Sequence, residues 1–217
     1  MKQLGITFDD THTYYDLDLI LSKVKIPPAK PKTTYIDVPG GDGSVDLTEA
    51  HGGIRYSDRD CTFTFSVNPS SPSSWEEKKT EVSNLLNGRV FQITLDNDEE
   101  FYYQGRCTVD EYMSDLNLKQ IVVAARVKPY KYRHVITKTT ATLSGTPTTL
   151  NILNGRKTVS PDIECSNDNT VIEFGDARYT LNAGKHKILD IQFVEGNNKV
   201  TVSGSGTVSF RYQEAEL

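Results

Sequence analysis

The side chains that most often carry out acid–base or metal chemistry are scattered along this 217-residue chain. None of the four histidines has the spacing to Asp, Glu or Cys that a catalytic triad or a metal site requires. Each is interpreted as a surface histidine or as one whose nitrogens are satisfied by a hydrogen-bond partner. We therefore expect no catalytic residue, no metal ligand and no cofactor, and a protein that is not an enzyme. The histidines are His12, His51, His134 and His186.

The acidic run Asp96-Asn97-Asp98-Glu99-Glu100 has the composition of a calcium loop. The twelve-residue calcium pattern, with its central Gly and distal Glu, is absent, and no helices are predicted on either side. The run lies between Leu95 and the aromatic segment Phe101-Tyr102-Tyr103. An acidic hairpin turn is the favoured interpretation, and calcium binding is the alternative.

The segment Pro39-Gly40-Gly41-Asp42-Gly43 shares its glycines with phosphate-binding loops. It lacks the Lys-Ser/Thr pair that would contact phosphate and magnesium, and the strand-like Ser44-Val45-Asp46-Leu47 follows it. We predict a tight turn in which the glycines adopt positive φ.

The three cysteines, Cys61, Cys107 and Cys165, are an odd number and lie far apart in the chain. No CxxC or Cys/His spacing indicates zinc, and each cysteine stands where an apolar residue would fit a strand pattern. We predict buried, reduced thiols, in keeping with assembly in a reducing cytoplasm.

The 11 tyrosines cluster at Tyr14-Tyr15, Tyr102-Tyr103 and Tyr130/Tyr132. Tyrosine is enriched in protein–protein interfaces, but it also packs well on strands. Both interpretations stay open at this point.

The formal net charge is −5, and no basic stripe of the kind that displaces counterions from nucleic-acid phosphates is visible. No apolar run approaches the roughly 18 residues of a membrane span. At the N-terminus, Asp9 and Asp10 come before any apolar signal-peptide core could form. Specific nucleic-acid binding and membrane insertion are therefore not expected.

Strict alternation of apolar and polar residues recurs along the chain and predicts half-buried strands. It is clearest at Cys61/Phe63/Phe65/Val67, Phe91/Ile93/Leu95 and Ile121/Val123/Ala125/Val127. One helix interrupts the strands. Ser74-Trp75-Glu76-Glu77 matches a capping box, the apolar face holds Trp75, Val82, Leu85 and Leu86, and Asn87-Gly88 ends it.

Beyond Pro129 the periodicity of helices disappears, and short strands follow one another with turn signals between them. We place a domain boundary near Arg133, giving domains 1–133 and 134–217. The predicted fold is mainly β, with an N-terminal β-sandwich-like domain flanked by one helix. Strands of the second domain are predicted at Ile163/Cys165, Ile172/Phe174, Tyr179/Leu181, Leu189/Ile191/Phe193, Val200/Val202 and Val208/Phe210/Tyr212.

The order of these segments carries a resemblance. In the first domain the strand Gly5-Ile6-Thr7-Phe8 is followed by Ile36-Asp37-Val38-Pro39-Gly40-Gly41-Asp42-Gly43, the capped helix and Gly88-Arg89-Val90-Phe91. In the second, Ser160-Pro161-Asp162-Ile163 precedes Glu195-Gly196-Asn197-Asn198-Lys199-Val200. The chain resembles the distal tail proteins of bacteriophages or prophages with long, non-contractile tails, the siphovirus type, over nearly its whole length.

The resemblance implies a virion structural protein of the tail tip or baseplate. Six N-terminal domains would close into a hexameric ring that joins the tail tube to tip and receptor-binding proteins and leaves a lumen for DNA. The C-terminal domain would be a galectin-like jelly-roll β-sandwich. The protein would be assembled in the bacterial host cytoplasm and reside in the virion. The alternative is a carbohydrate-binding adhesion module that recognises host surface glycan.

Two expectations follow for surfaces. A lumen that DNA slides through should avoid basic side chains, and Asp96, Asp98, Glu99 and Glu100 are the candidate lumen-facing residues. A sugar site needs an exposed aromatic platform. The aromatics of the second half all fall on the apolar phase of their strands, so that half is predicted to dock proteins rather than sugar. They are Phe174, Tyr179, Phe193, Phe210 and Tyr212.

Overall fold

The structure is a computed structural model that describes residues 4–50, 52–68, 71, 73–115 and 118–217. His51, Pro69, Ser70 and Pro72 lie outside the described residues. The chain forms two compact units, Met1–Lys131 and Tyr132–Leu217. Among the described residues no helix combines the length and the apolar composition needed to cross a membrane.

Unit 1 is built on one antiparallel sheet whose strands follow the order β2-β1-β7-β8-β9-β6-β3. A separate two-stranded hairpin joins β4 to β5, and β10 (Lys131–Arg133) spans the boundary between the units. The strands are β1 (Ile6–Phe8), β2 (Thr11–His12), β3 (Leu19–Lys25), β4 (Tyr35–Asp37), β5 (Ser44–Asp46), β6 (Arg59–Val67), β7 (Val90–Leu95), β8 (Phe101–Ser114) and β9 (Lys119–Val127).

The sheet of unit 1 curls until its distant strands face each other across one core. Four strand spacings separate β1 from β6, which in a flat sheet would be about 19 Å. The rings of Phe8 on β1 and Phe63 on β6 nevertheless lie 6.4 Å apart, edge to face. Irregular registers at Leu21/Lys23 and Val109/Glu111 favour such bending, because a bulge increases local twist. The predicted sandwich-like domain is therefore a single curled sheet.

The predicted alternation is confirmed in the central strands. Cys61, Phe63 and Phe65 are buried and lie opposite Ala125, Val123 and Ile121 on β9. The polar residues between them point away from the core, as a period of two requires.

The helix α1 (Trp75–Leu86) begins and ends where the sequence predicts. The Ser74 hydroxyl accepts the Glu77 N–H at 3.3 Å, and the Glu77 carboxylate accepts the Ser74 N–H at 2.8 Å. These hydrogen bonds, the one from the Ser74 backbone first, lower the pKa of Glu77. Gly88 follows the helix with φ of +78°, which suits glycine. Lys78, which the apolar pattern of the sequence does not include, is buried within the apolar stripe of the helix.

Unit 2 consists of two four-stranded antiparallel sheets packed on a shared core, in the orders β11-β18-β13-β16 and β12-β17-β14-β15. The mainly β fold with one helix in the described residues is confirmed. The strands are β11 (Thr137–Ser144), β12 (Thr148–Asn154), β13 (Asp162–Cys165), β14 (Thr170–Phe174), β15 (Ala177–Leu181), β16 (Gly184–Lys187), β17 (Gly196–Ser203), β18 (Ser205–Tyr212) and β19 (Ala215–Glu216).

One predicted strand of unit 2 is wrong. Residues 189–193 form a turn and an isolated bridge between Val159 and Phe193. Phe193 exchanges backbone hydrogen bonds with Val159 at 2.8 and 3.0 Å. Two buried asparagines bind the same stretch of backbone: Asn154 Nδ2 donates to the Phe193 carbonyl at 2.9 Å, and Asn198 Oδ1 accepts the Val194 N–H at 2.9 Å. The apolar pattern correctly buries Phe193, but a single bridge to Val159 and side-chain amides, rather than a continuous ladder, hold the backbone there.

Candidate assembly surfaces

The acidic run connects β7 to β8, so the predicted hairpin turn is confirmed. Its carboxylates differ in environment. Asp96 is nearly buried, and its Oδ2 accepts the Gly5 N–H at 2.9 Å. Asp98 pairs with Lys131 Nζ at 2.8 Å. Glu99 and Glu100 are exposed. The turn thus directs two carboxylates toward unit 1 and displays two outward.

His12 and Asp96 form a pair that sequence spacing could not reveal, because 84 residues separate them. His12 Nε2 lies 3.2 Å from both Asp96 oxygens. Its Nδ1 accepts the N–H groups of Tyr14 and Tyr15 at 3.1 and 3.2 Å. That arrangement places the ring proton on Nε2. Both nitrogens are occupied by fixed partners, so the pair ties the first strands to the acidic turn and has no free base for catalysis.

The tyrosine clusters divide between packing and exposure. Tyr102 is buried, and Tyr103 packs against the core with Arg59 5.6 Å from its ring centroid. Burial raises the pKa of Tyr103. Tyr15 is 65% exposed and stacks on His12 at 4.6 Å. The Tyr102-Tyr103 pair therefore contributes to packing within unit 1, whereas Tyr15 is exposed and available for contact.

The hairpin of β4 and β5 stands outside the core of unit 1. Gly40 and Gly43 in its turn have φ of +80° and +75°, as predicted for a tight glycine turn. Every residue of the two strands is exposed. Asp46 accepts hydrogen bonds from Thr48, first from its side chain and then from its backbone, which lower the Asp46 pKa.

The cysteines are buried and free, which confirms the prediction. Burial raises the pKa of Cys61 to about 11 and of Cys107 to about 12, and it also raises the pKa of Cys165. A thiol is nucleophilic as its thiolate, so these residues are unreactive in the folded protein.

Unit 2 carries a groove of about 720 Å³ on one sheet. Lys157 lies in it with its Nζ 4.8 Å from the Tyr132 ring centroid, and burial lowers the pKa of this lysine. The five aromatics considered for a sugar platform instead belong to the core or pack against it, as predicted. Tyr212, which borders the groove, is buried and donates its hydroxyl to the Leu153 carbonyl.

The fold of this chain, a curled sheet with one capped helix followed by a two-sheet unit, is similar to that of a solved phage tail hub protein. One solved structure that matches is the SPP1 Dit protein (gp 19.1), "a paradigm of hub adsorption apparatus in Gram-positive infecting phages". The TM-score is 0.70 with 14% sequence identity, and the match covers 98% of this chain and 99% of that one. The mainly β fold expected from the resemblance is confirmed. No protein-family model and no curated protein sequence matches the chain.

Proposed function

We propose that this chain is a structural hub of a phage tail tip or baseplate, in which six copies close into a ring between the tail tube and the tip or receptor-binding proteins. The observation that carries the proposal is the fold shared with the SPP1 hub over 98% of the chain. Fold alone does not fix function, so the surfaces must supply further support. His12, the histidine that pairs with a carboxylate, is committed to structure, which agrees with a role that is not catalytic.

The lumen of the ring is proposed to carry the acidic turn. Exposed Glu99 and Glu100 supply its charge, while Asp96 and Asp98 fix its shape through His12 and Lys131. An acidic wall repels phosphate and lets DNA slide. Replacing Glu99 and Glu100 by lysine in the assembled ring is expected to raise non-specific DNA binding at low salt. Equal DNA binding by this variant and by Glu164→Lys with Asp176→Lys, two exposed positions of unit 2, would argue against a lumen position.

Unit 2 is proposed to be a galectin-like sandwich that docks tail-tip neighbours through a face of order 1,000 Å². The protein would be assembled in the host cytoplasm and act in the virion. This proposed role requires neither a cofactor nor a membrane.

Negative-stain microscopy of the purified full chain tests the ring. We expect ring particles with an open centre, either alone or after mixing with tail-tube and tip partners. Light scattering that reports only monomers over a wide concentration range, with those partners present, would refute the hub.

The second candidate, a glycan-binding adhesion module, is favoured by one observation, the unit 2 groove with Tyr132 and Lys157 on its wall. A glycan array probed with the full chain tests it. We expect no binding that free sugar can compete away. The five aromatic rings on the strands belong to the core or pack against it, and Lys157 Nζ lies over the Tyr132 ring, 4.8 Å from its centroid. Reproducible, competable binding to one glycan class, lost in Lys157→Ala, would favour the module.

A further inference from the structure

The groove of unit 2 is lined by more basic than acidic side chains. Leaving His186 aside, four cations stand against two carboxylates, an excess of two positive charges. Five of the six charged residues lie on three neighbouring strands, β18, β13 and β16. Their side chains point to the outward face of that sheet, because Phe210, Ile163 and other residues that alternate with them are buried. The six are Lys157, Lys185, Lys187, Arg211, Asp162 and Glu164.

Three of the four cations have no counter-ion among the described residues. Lys187 Nζ pairs with Asp162 Oδ1 at 2.8 Å. No ion pair in the described part of the chain involves Lys157, Lys185 or Arg211. Lys185 and Arg211 are exposed, so water solvates their charges at little cost. The groove therefore holds uncompensated positive charge, of which Lys157 alone is half-buried.

The ammonium group of Lys157 is held in place without an anion beside it. Its Nζ lies 3.5 Å from the Tyr132 hydroxyl and 4.8 Å from the centroid of the same ring. Neither contact supplies a negative charge, and burial lowers the pKa of this lysine. The Lys157 backbone is fixed, because its N–H donates to the Ala215 carbonyl at 3.0 Å and its carbonyl accepts Asn154 Nδ2 at 2.9 Å. A fixed, half-buried cation without a counter-ion is a preformed site for a carboxylate or another oxyanion.

The rest of the lining indicates which kind of anion fits. A uniform polyanion, such as nucleic acid, would also place negative charge against Asp162 and Glu164, which repel it. A sugar or a base finds no open ring on the groove wall at Tyr132, because the Lys157 ammonium lies over that ring. A polypeptide segment carries acidic and apolar side chains at separate positions. It can set carboxylates on the cations and an apolar side chain on Ile136, which is 43% exposed.

We propose that the groove of unit 2 binds an acidic segment of another tail-tip protein, and that a carboxylate of this segment pairs with Lys157 Nζ beside the Tyr132 ring. The proposal rests on the docking role proposed for unit 2 and names the site and the chemistry of its partner. Exposed Arg211 and Lys185 attract the segment during its approach. The half-buried Lys157 makes the pairing that salt screens least.

Peptide binding by the full-length protein tests the groove. An array of peptides of equal length and graded net charge is probed with labelled wild-type protein, and the signal should rise with the number of acidic residues. Lys157→Met removes the charge, and Lys199→Met is the matched control on an exposed strand lysine of the other sheet. In solution, the best peptide should bind Lys157→Met at least about tenfold more weakly than wild type, and Lys199→Met should match wild type. Lys157→Arg, which keeps a cation over the ring, should bind within about threefold of wild type.

The outcomes separate this inference from the hub itself. An array signal that is independent of acidic content, or equal loss of binding in Lys157→Met and Lys199→Met, overturns the acidic-segment site. Equal displacement of the peptide by duplex DNA or by polyphosphate at matched charge concentration also overturns it, because the groove would then bind any polyanion. A protein that forms rings while its groove binds no acidic peptide leaves the hub standing. A chain that never assembles with its partners refutes the hub, whatever the groove binds.

Amine labelling gives a second reading in the unaltered protein. Lysines are modified with an amine-reactive ester, with and without the best peptide, and the modified positions are located by mass spectrometry. At a peptide concentration about ten times Kd, labelling of Lys157 should fall about tenfold, because the bound carboxylate covers its Nζ. Labelling of Lys199 should not change. Equal labelling of Lys157 with and without bound peptide would overturn the contact.

Discussion

The Asp96 carboxylate accepts hydrogen bonds from two distant parts of unit 1. Replacing it measures how much the acidic turn contributes to the free energy of unfolding. Asp96→Ala leaves the Gly5 N–H without its 2.9 Å acceptor and His12 Nε2 without its anionic partner. Asp96 and His12 are only 9% and 14% exposed, so water replaces these bonds poorly. An unsatisfied buried donor costs about 1–3 kcal/mol, and we expect a total of about 2–3 kcal/mol. Asp96→Asn keeps one acceptor and should cost about half as much.

Thermal and urea unfolding of the full chain provide the assay, with hydrogen exchange in the first strands assigning the change to unit 1. For a unit of this size, 1 kcal/mol corresponds to about 4 °C, so Asp96→Ala should lower Tm by about 8–12 °C. The matched control is Glu99→Ala in the same turn, where exposure limits the effect to about 0.5 kcal/mol. Equal stability of Asp96→Ala and the control would refute the assignment of Asp96 to the framework.

Three further predictions concern the cores. Lys78 is 2% exposed and pairs with Glu81 at 2.6 Å. In urea unfolding, Lys78→Met should be neutral or stabilise the protein by up to about 1 kcal/mol because it removes a buried charge, whereas Glu81→Gln should destabilise it because the Lys78 charge then loses its partner. A Cβ on Gly105 would lie 2.3 Å from a backbone oxygen of β9, so Gly105→Ala should lower the free energy of unfolding by at least about 2 kcal/mol. The control is Gly53→Ala, whose Cβ would meet nothing within 4 Å and which should cost about 0.5 kcal/mol or less. The thiols should not react with DTNB at pH 8 in the folded protein and should react fully in guanidinium. Because burial raises the pKa of Cys61 and Cys107 above the ordinary 9.0, the contribution of these thiols to stability should be lost as the pH rises above about 9.

Local chemistry made parts of the fold predictable. The helix was predictable because Ser74 and Glu77 hydrogen-bond to each other within one turn. The turn between β7 and β8 was predictable because polar residues separate the alternating run Phe91/Ile93/Leu95 from the aromatic segment Phe101-Tyr102-Tyr103. Strands β11 and β12 were missed, since threonine-rich segments such as Thr137–Ser144 have few large apolar residues to mark a core face.

What sequence reasoning missed depends on contacts between distant segments. Asn154 and Asn198 hold the backbone near Phe193, and no local pattern distinguishes that arrangement from a strand. The pairing of His12 with Asp96 spans 84 positions. Lys78 lies in an apolar stripe, and its charge predicts exposure, but in the structure it is buried and paired with Glu81.

The acidic turn reconciles two demands that a ring hub would place on one short segment. A turn that carries only repelling charges would destabilise its own hairpin, because like charges in close sequence oppose each other. Here Asp96 is hydrogen-bonded to Gly5 and His12, and Asp98 is paired with Lys131, while Glu99 and Glu100 are exposed at the surface. Stability and surface charge are therefore carried by different residues of the same five. It follows that changes at Asp96 should alter unfolding without altering DNA passage in a ring that still forms, and changes at Glu99 and Glu100 should do the reverse.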